Sequence, residues 1–521
     1  MPLKIVEWSL DPLTPPWSGP SLYLYIRDNP NSRDLPDEKR DPNKITFAAG
    51  AWDGVISHHM AAGGPEQIAQ RLKPITQALE NLLRISNDLN LKALYDAVVG
   101  DNIYSLADEL LKHATERVPP CREEMGAIGR YFASGADQRE ATKFGILLLA
   151  VAGKNSDIKL LETLASHDEF TLFAAVALTR LVDDPEQCIW RLAQRVRGWG
   201  RVQLVERLDG TADPEIQNWM LREGFRNNVH DNYLAEICAR SGKLHQVLHQ
   251  SAIDLPLLDS AAELLDALLG GGPSAGVDDY NHAREALQGY ISQLTPDKDL
   301  GLQHFLTVSM VLDFLDDDPA WEERLESGWT IQLRQHLRAR CDAILRRESW
   351  LPKIEQGLHS TDHRTFYLAD AVAARLGRNT WEVHFQRVRQ APFEHSWFRF
   401  LKLTDDSNID QVLTFAADVL PLRQIASGPS DALGLGPGFA ANGVLESILW
   451  ELPRFPERGW LFMKAGLQSP VVRTRNAALK AVLAWPRERW PADAFAVLQK
   501  AESLEPDEGL KAKFREATKV H

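Results

Sequence analysis

Cysteine is scarce in this chain of 521 residues: there are four, Cys121, Cys188, Cys238 and Cys341, set far apart and each among apolar residues. No paired spacing of the kind that grips zinc or staples a small secreted domain occurs, so the thiols read as free and buried. Long apolar runs are missing as well. No uninterrupted stretch approaches the roughly 20 residues of a bilayer-spanning helix, and the first residues lack the charged, apolar and small-residue order of an export leader. A cytoplasmic protein is expected. Basic charge is not in excess: 58 Lys plus Arg against 72 Asp plus Glu leave a formal charge of −14, which repels a phosphate backbone at long range but permits a local basic patch. The remainder is an ordinary globular composition, 44% hydrophobic and 25% charged, which excludes wholesale disorder and a fibrous protein.

Strand patterns are confined to residues 1–57. Leu3–Trp8, Ser21–Arg27 and Lys44–Ala49 are short β-favouring runs, and Leu22, Leu24 and Ile26 alternate with Tyr23, Tyr25 and Arg27. A small N-terminal β-containing cap over the first helices is expected. From Pro65 the period becomes helical, through Ile68, Leu72, Ile75, Leu79 and Leu82, with Pro74 expected to kink or split the segment. Further helices are predicted over 91–99, 103–116, 121–134, 137–152, 156–166, 169–182, 185–196, 199–209 and 213–223. Their short connections carry Gly, Asp, Asn or Pro, as between antiparallel neighbours. No strands intervene, which excludes an α/β sheet.

Beyond residue 232, Leu257–Leu269 is strongly apolar, Gly270–Gly276 is a flexible break, and Val277–Leu294 resumes a helix. Asp316, Asp317 and Asp318 precede one long predicted helix from Pro319 towards Arg347, and Ser427–Gly443 is a second break rich in Gly and Pro. The expected organisation is a cap at 1–57, a helical array at 58–270, its continuation at 277–426, and a C-terminal pair of repeats at 444–521.

One stretch reads as a repeating unit. In Ser469–Leu483, Ser469 and Pro470 form a helix start, and Val472, Asn476, Leu479 and Leu483 recur at helical spacing. Ala477, Ala478 and Ala481 leave small faces for a close neighbour, so the helix is built to pack on both sides. Trp485-Pro486 stops it, and a second apolar pattern follows through Ala494, Phe495, Val497 and Leu498. Looser copies centre on Ala174-Ala175 with Leu178 and on Ala373-Ala374 with Leu376. Pro470-Val471-Val472-Arg473 followed by Ala477-Ala478-Leu479 resembles a HEAT repeat, in the HEAT/armadillo group. That resemblance implies an all-α fold, an α-α superhelix of antiparallel helix pairs.

Catalytic motifs lack their context. Gly272-Pro273-Ser274-Ala275-Gly276 has the letters of a nucleophile elbow, but a helix precedes Ser274 where a strand is needed. Gly434, Gly436 and Gly438, and Gly153-Lys154 before Asn155, miss the spacing of a phosphate loop. His245 with His249, His58 with His59, and His359 with His363 have no third ligand, and Asp316–Asp318 need no Mg²⁺ to explain them. No catalytic residue, cofactor or metal is assigned.

Arginine beside tryptophan is the recurrent constellation. Trp190, Arg191, Arg195, Arg197, Trp199 and Arg201 form one cluster; Trp397, Arg399 and Lys402 a second; Arg473, Arg475, Trp485, Arg487, Arg489 and Trp490 a third. Gathered on one groove, such pairs bind by cation–π stacking and phosphate contacts; otherwise the tryptophans fill seams between helices and the arginines cover them. The favoured reading is a non-enzymatic protein-binding scaffold whose partner is basic, to suit the acidic balance. Two alternatives stay open: a nucleic-acid-binding protein similar to HEAT-like DNA glycosylases, which the net charge disfavours, and an α/α-toroid enzyme closing residue 60 on residue 500.

Overall fold

The computed structural model describes residues 8–11, 13–37, 47–59 and 64–519. Among these the chain is all-α: helices follow one another from Leu22 to Thr518, and the only β feature is a single parallel bridge between Ala432 and Val471. No helix is long and apolar enough to cross a membrane among the described residues. The described residues fall into two compact units, one ending at Arg347 and the other starting at Glu348. Both glycine-rich breaks lie inside a unit, 270–276 in the first and 427–443 in the second.

In the first unit every second helix packs on the next of its kind. Arg139–Ala152, Thr171–Leu178, Trp199–Glu206, Asn232–Ser241, Leu255–Leu269, Leu302–Asp316 and Ile331–Leu345 form that row, and the intervening helices lie beside it. Helix Arg139–Ala152 is packed all round, with every residue from Ala141 to Ala150 buried. Its tightest crossing is on Ala107–Gly135, where a Cβ added to Gly145 would stand 2.4 Å from the amide nitrogen of Ala133. Asp-Pro starts are well formed: Asp184 and Asp213 accept amide hydrogens of the helices that begin at Pro185 and Pro214. The result is a helical-repeat-like arrangement.

The second unit is built likewise. Ala440–Glu451 and Val472–Leu483 pack side by side with Trp460–Gly466 against both, and Ala494–Leu504 pairs with Glu508–Thr518. One apolar core runs from Trp381 and Phe385 through Trp397, Phe400 and Leu449 to Phe514. Ala477, Ala478 and Ala481 are all buried, so Val472–Leu483 is indeed packed on both sides. Leu483 is not: it is 46% exposed. The helix also starts later than expected, because Ser469 Oγ accepts from the Val471 amide at 3.2 Å and holds 469–471 outside it.

Three expectations are corrected. Ser21–Arg27 is no strand; Leu22–Asp28 is a helix capped by Ser21 Oγ, which accepts from the Leu24 amide at 3.1 Å. Its buried residues are Leu22 and Ile26, one helical turn apart, and Leu24 is exposed. Leu3–Glu7 and Lys44–Thr46, from the other two runs, lie outside the described residues, and Trp8 and Phe47–Ala49 are not in strands. Pro74 does not split its segment, since Pro65–Arg84 is one helix with Pro74 on its solvent face. Pro319–Arg347 is not one helix: Gly328, at φ +90°, separates Trp321–Glu326 from Ile331–Leu345, and Thr330 caps the second piece. By contrast Ala107–Gly135 bends at Cys121, which has non-helical dihedrals, where two helices were expected to meet.

Candidate functional site

The arginines singled out above divide by burial. Arg201 is 1% exposed and donates from Nε to the Ala193 carbonyl at 3.0 Å and from Nη1 to those of Glu223 and Arg226 at 3.2 and 2.8 Å. Burial depresses its pKa to about 10. Arg475 is wholly buried: it grips Glu505 with two bonds of 2.7 and 2.5 Å and donates to the Ser430, Ser469 and Pro470 carbonyls at 2.9 Å. Trp199, Trp397 and Trp485 are buried too, and Trp190 and Trp490 half-buried. Trp397 donates to the Pro392 carbonyl at 2.7 Å and Trp490 to that of Trp485 at 3.1 Å. Arg399 pairs with the buried Asp370 at 3.1 Å. Arg201 and Arg475 are therefore internal struts between chain segments, and an open groove is not where they stand. Arg195, Arg197 and Arg473 remain exposed.

The second unit carries an exposed strip that crosses several helices. Phe398 on Trp397–Lys402 is 60% exposed, with the Lys402 ammonium 5.5 Å from its ring. Lys402 also reaches Glu451 at 2.6 Å, and Glu451 holds Arg454 at 2.7 Å. Beside Glu451, Trp450 is 45% exposed, and Lys480 of Val472–Leu483 lies 4.8 Å from its ring. On Val472–Leu483 the exposed positions run Arg473, Lys480 and Leu483, with Asn476 partly exposed between them. Arg473 pairs with Glu446 at 2.8 Å, and Lys513 of Glu508–Thr518 donates to Asn476 at 3.0 Å. Helical spacing explains the strip, because 473, 476, 480 and 483 share a face while the alanines occupy the other. Phe398, Trp450 and Lys480 carry no mark in the sequence, and Leu483 reads there only as part of the packed face of its helix.

The first unit holds a different feature, a polar cavity of about 320 Å³ lined by Asn31, Arg33, His167, Asp168, Arg195 and Arg197 among others. Asp168 accepts the Gly198 and Gly200 amides at 3.2 and 3.0 Å, at the start of Trp199–Glu206, while burial raises its pKa against their pull. His167 is 4% exposed; its Nδ1 accepts the Glu169 amide at 3.3 Å, and burial lowers its pKa. Glu169 belongs to a sealed charge network next to this cavity. Lys143, 1% exposed, lies 2.7 Å from Asp53, 2.7 Å from Glu169 and 3.0 Å from Glu140, and Arg139 joins Glu169 to Asp37.

The remaining motifs have structural places. Ser274 sits in the linker after Leu255–Leu269, its amide held by Asn232 at 3.0 Å. Asp316, Asp317 and Asp318 each face an arginine, Arg338, Arg324 and Arg334. His245 stacks on His282 with ring centroids 3.8 Å apart, His249 bonds the Glu285 carbonyl, His59 bonds Tyr233, and His359 bonds the Glu355 carbonyl. Gly153 caps its helix, and the Lys154 amide bonds Asp157. Among the described residues no group of three His, Cys, Asp or Glu is placed to hold a metal ion. Compared with protein-family models, with curated proteins and with solved structures, the chain finds no match.

Proposed function

We propose that the helical-repeat-like arrangement is a HEAT-type array and that the chain is a non-enzymatic scaffold, binding a protein partner along the exposed strip of its second unit. The observation that carries this reading is the alternation of Phe398, Lys402, Trp450, Lys480 and Leu483 across neighbouring helices, large apolar groups left in solvent beside cations. An isolated exposed apolar residue needs no explanation, but a row of them framed by charge is what an interface presents. Locally Lys402, Arg454, Arg473, Lys480 and Lys513 stand against Glu446, Glu451, Asp431 and Asp507, a small excess of positive charge that suits an acidic segment with apolar or aromatic anchors. The overall charge of −14 favours a basic partner only for the surface as a whole. Capture of partners by the full chain, with and without nuclease, tests the reading when run beside a Trp450→Ala/Lys480→Glu variant. A nuclease-resistant protein retained by the parent chain and lost by the variant is expected. Retention by both contradicts it, and recovery that nuclease abolishes transfers the strip to single-stranded nucleic acid, whose bases stack on such aromatic groups.

A further inference from the structure

We propose that the polar cavity of the first unit is a binding site for a small phosphate monoester. Three arginines border it from two chain segments, Arg33 from the loop after Leu22–Asp28 and Arg195 and Arg197 from the turn before Trp199–Glu206. Arg33 and Arg195 make no ion pair with a described residue, and Arg197 has only a loose one, 3.9 Å from the exposed Glu223. The one carboxylate on the wall, Asp168, accepts the Gly198 and Gly200 amides and stands against three arginines, so an excess of positive charge remains.

Guanidinium forks match the paired oxygens of a phosphate better than a point charge does. A volume of about 320 Å³ leaves room beyond the phosphate for a compact organic body, against which Asn31 and Ser32 supply polar contacts. The site takes a whole small molecule rather than a polymer backbone.

Calorimetric titration of the full chain with inorganic phosphate, phenyl phosphate and benzoate tests this, repeated on Arg33→Gln and on Arg195→Gln/Arg197→Gln. All three substituted residues are exposed, so thermal unfolding of the variants is expected to match the parent. Saturable binding of phenyl phosphate at millimolar concentration or below, weaker binding of phosphate, and a loss of about tenfold or more in each variant support the site. Absence of binding, equal binding by the variants, or preference for benzoate over both phosphates overturns it. The result does not depend on the strip in the second unit, whose Trp450→Ala/Lys480→Glu variant is expected to bind phenyl phosphate unchanged.

Discussion

Lys143 and Asp53 meet at 2.7 Å with side chains only 1% and 4% exposed, joining helix Ala51–His59 to helix Arg139–Ala152. Burial pushes the Asp53 carboxyl up to about 6 although Lys143 opposes it, while Glu169, Glu140 and Asp53 together hold the Lys143 ammonium charged against its own burial. Lys143→Met leaves those carboxylates without their shared cation. A loss of about 3–5 kcal/mol in the stability of the first unit is expected, read as earlier thermal unfolding and faster hydrogen exchange in Arg139–Ala152; a loss below about 1 kcal/mol, the scale of an exposed pair, contradicts the network's role.

Arg475 and Arg473 are two residues apart and separate the interior from the surface. Arg475→Lys keeps the charge but loses the paired grip on Glu505 and most of the bonds to three carbonyls, so destabilisation of about 3–5 kcal/mol is expected. Arg473→Gln removes an exposed pair with Glu446 and is expected to change stability by less than about 1 kcal/mol. Denaturant unfolding of the two variants checks the contrast, and similar values for both are the contrary result.

His58 gives the first unit a pH dependence. Its Nε2 lies 2.8 Å from Glu206 Oε1 and its Nδ1 3.0 Å from the Gly54 carbonyl. The bond to Glu206 foremost, helped by Gly54 and opposed by burial, raises its pKa above the ordinary 6.5. A raised histidine stabilises the fold fully below 6.5, and the contribution disappears as pH rises through the folded value. The gap in melting temperature between the parent chain and His58→Gln is therefore expected to be widest in mild acid and to shrink in mild base. A gap that grows with pH refutes the assignment.

Much of the fold was legible because its signals are local. Asp184-Pro185 and Asp213-Pro214 mark helix starts with their own side chains, and Ala477-Ala478 with Ala481 marks a close crossing without reference to its neighbours. Leu22–Asp28 reads as a strand because Leu22 and Ile26 satisfy both a strand alternation and a single helical turn, and the docking that decides it, Ser21 Oγ on the Ser134 carbonyl and the Leu22 amide on that of Ala136, is remote in sequence. The site was far less legible. Whether an arginine near a tryptophan faces solvent depends on groups remote in sequence, Glu505 for Arg475 and the Glu223 carbonyl for Arg201. The cavity and the strip likewise join segments that no sequence window spans: Arg33 with His167 and Arg195, and Phe398 with Trp450 and Lys480.

The scaffold role is tested most directly by selecting displayed random peptides on the full chain and repeating the selection on Trp450→Ala/Lys480→Glu. Enrichment of peptides that combine acidic residues with an aromatic or large apolar anchor, lost by the variant and weakened by salt, is the expected result. Enrichment of basic peptides, or of the same peptides by both chains, would contradict a partner bound along Phe398, Trp450 and Lys480.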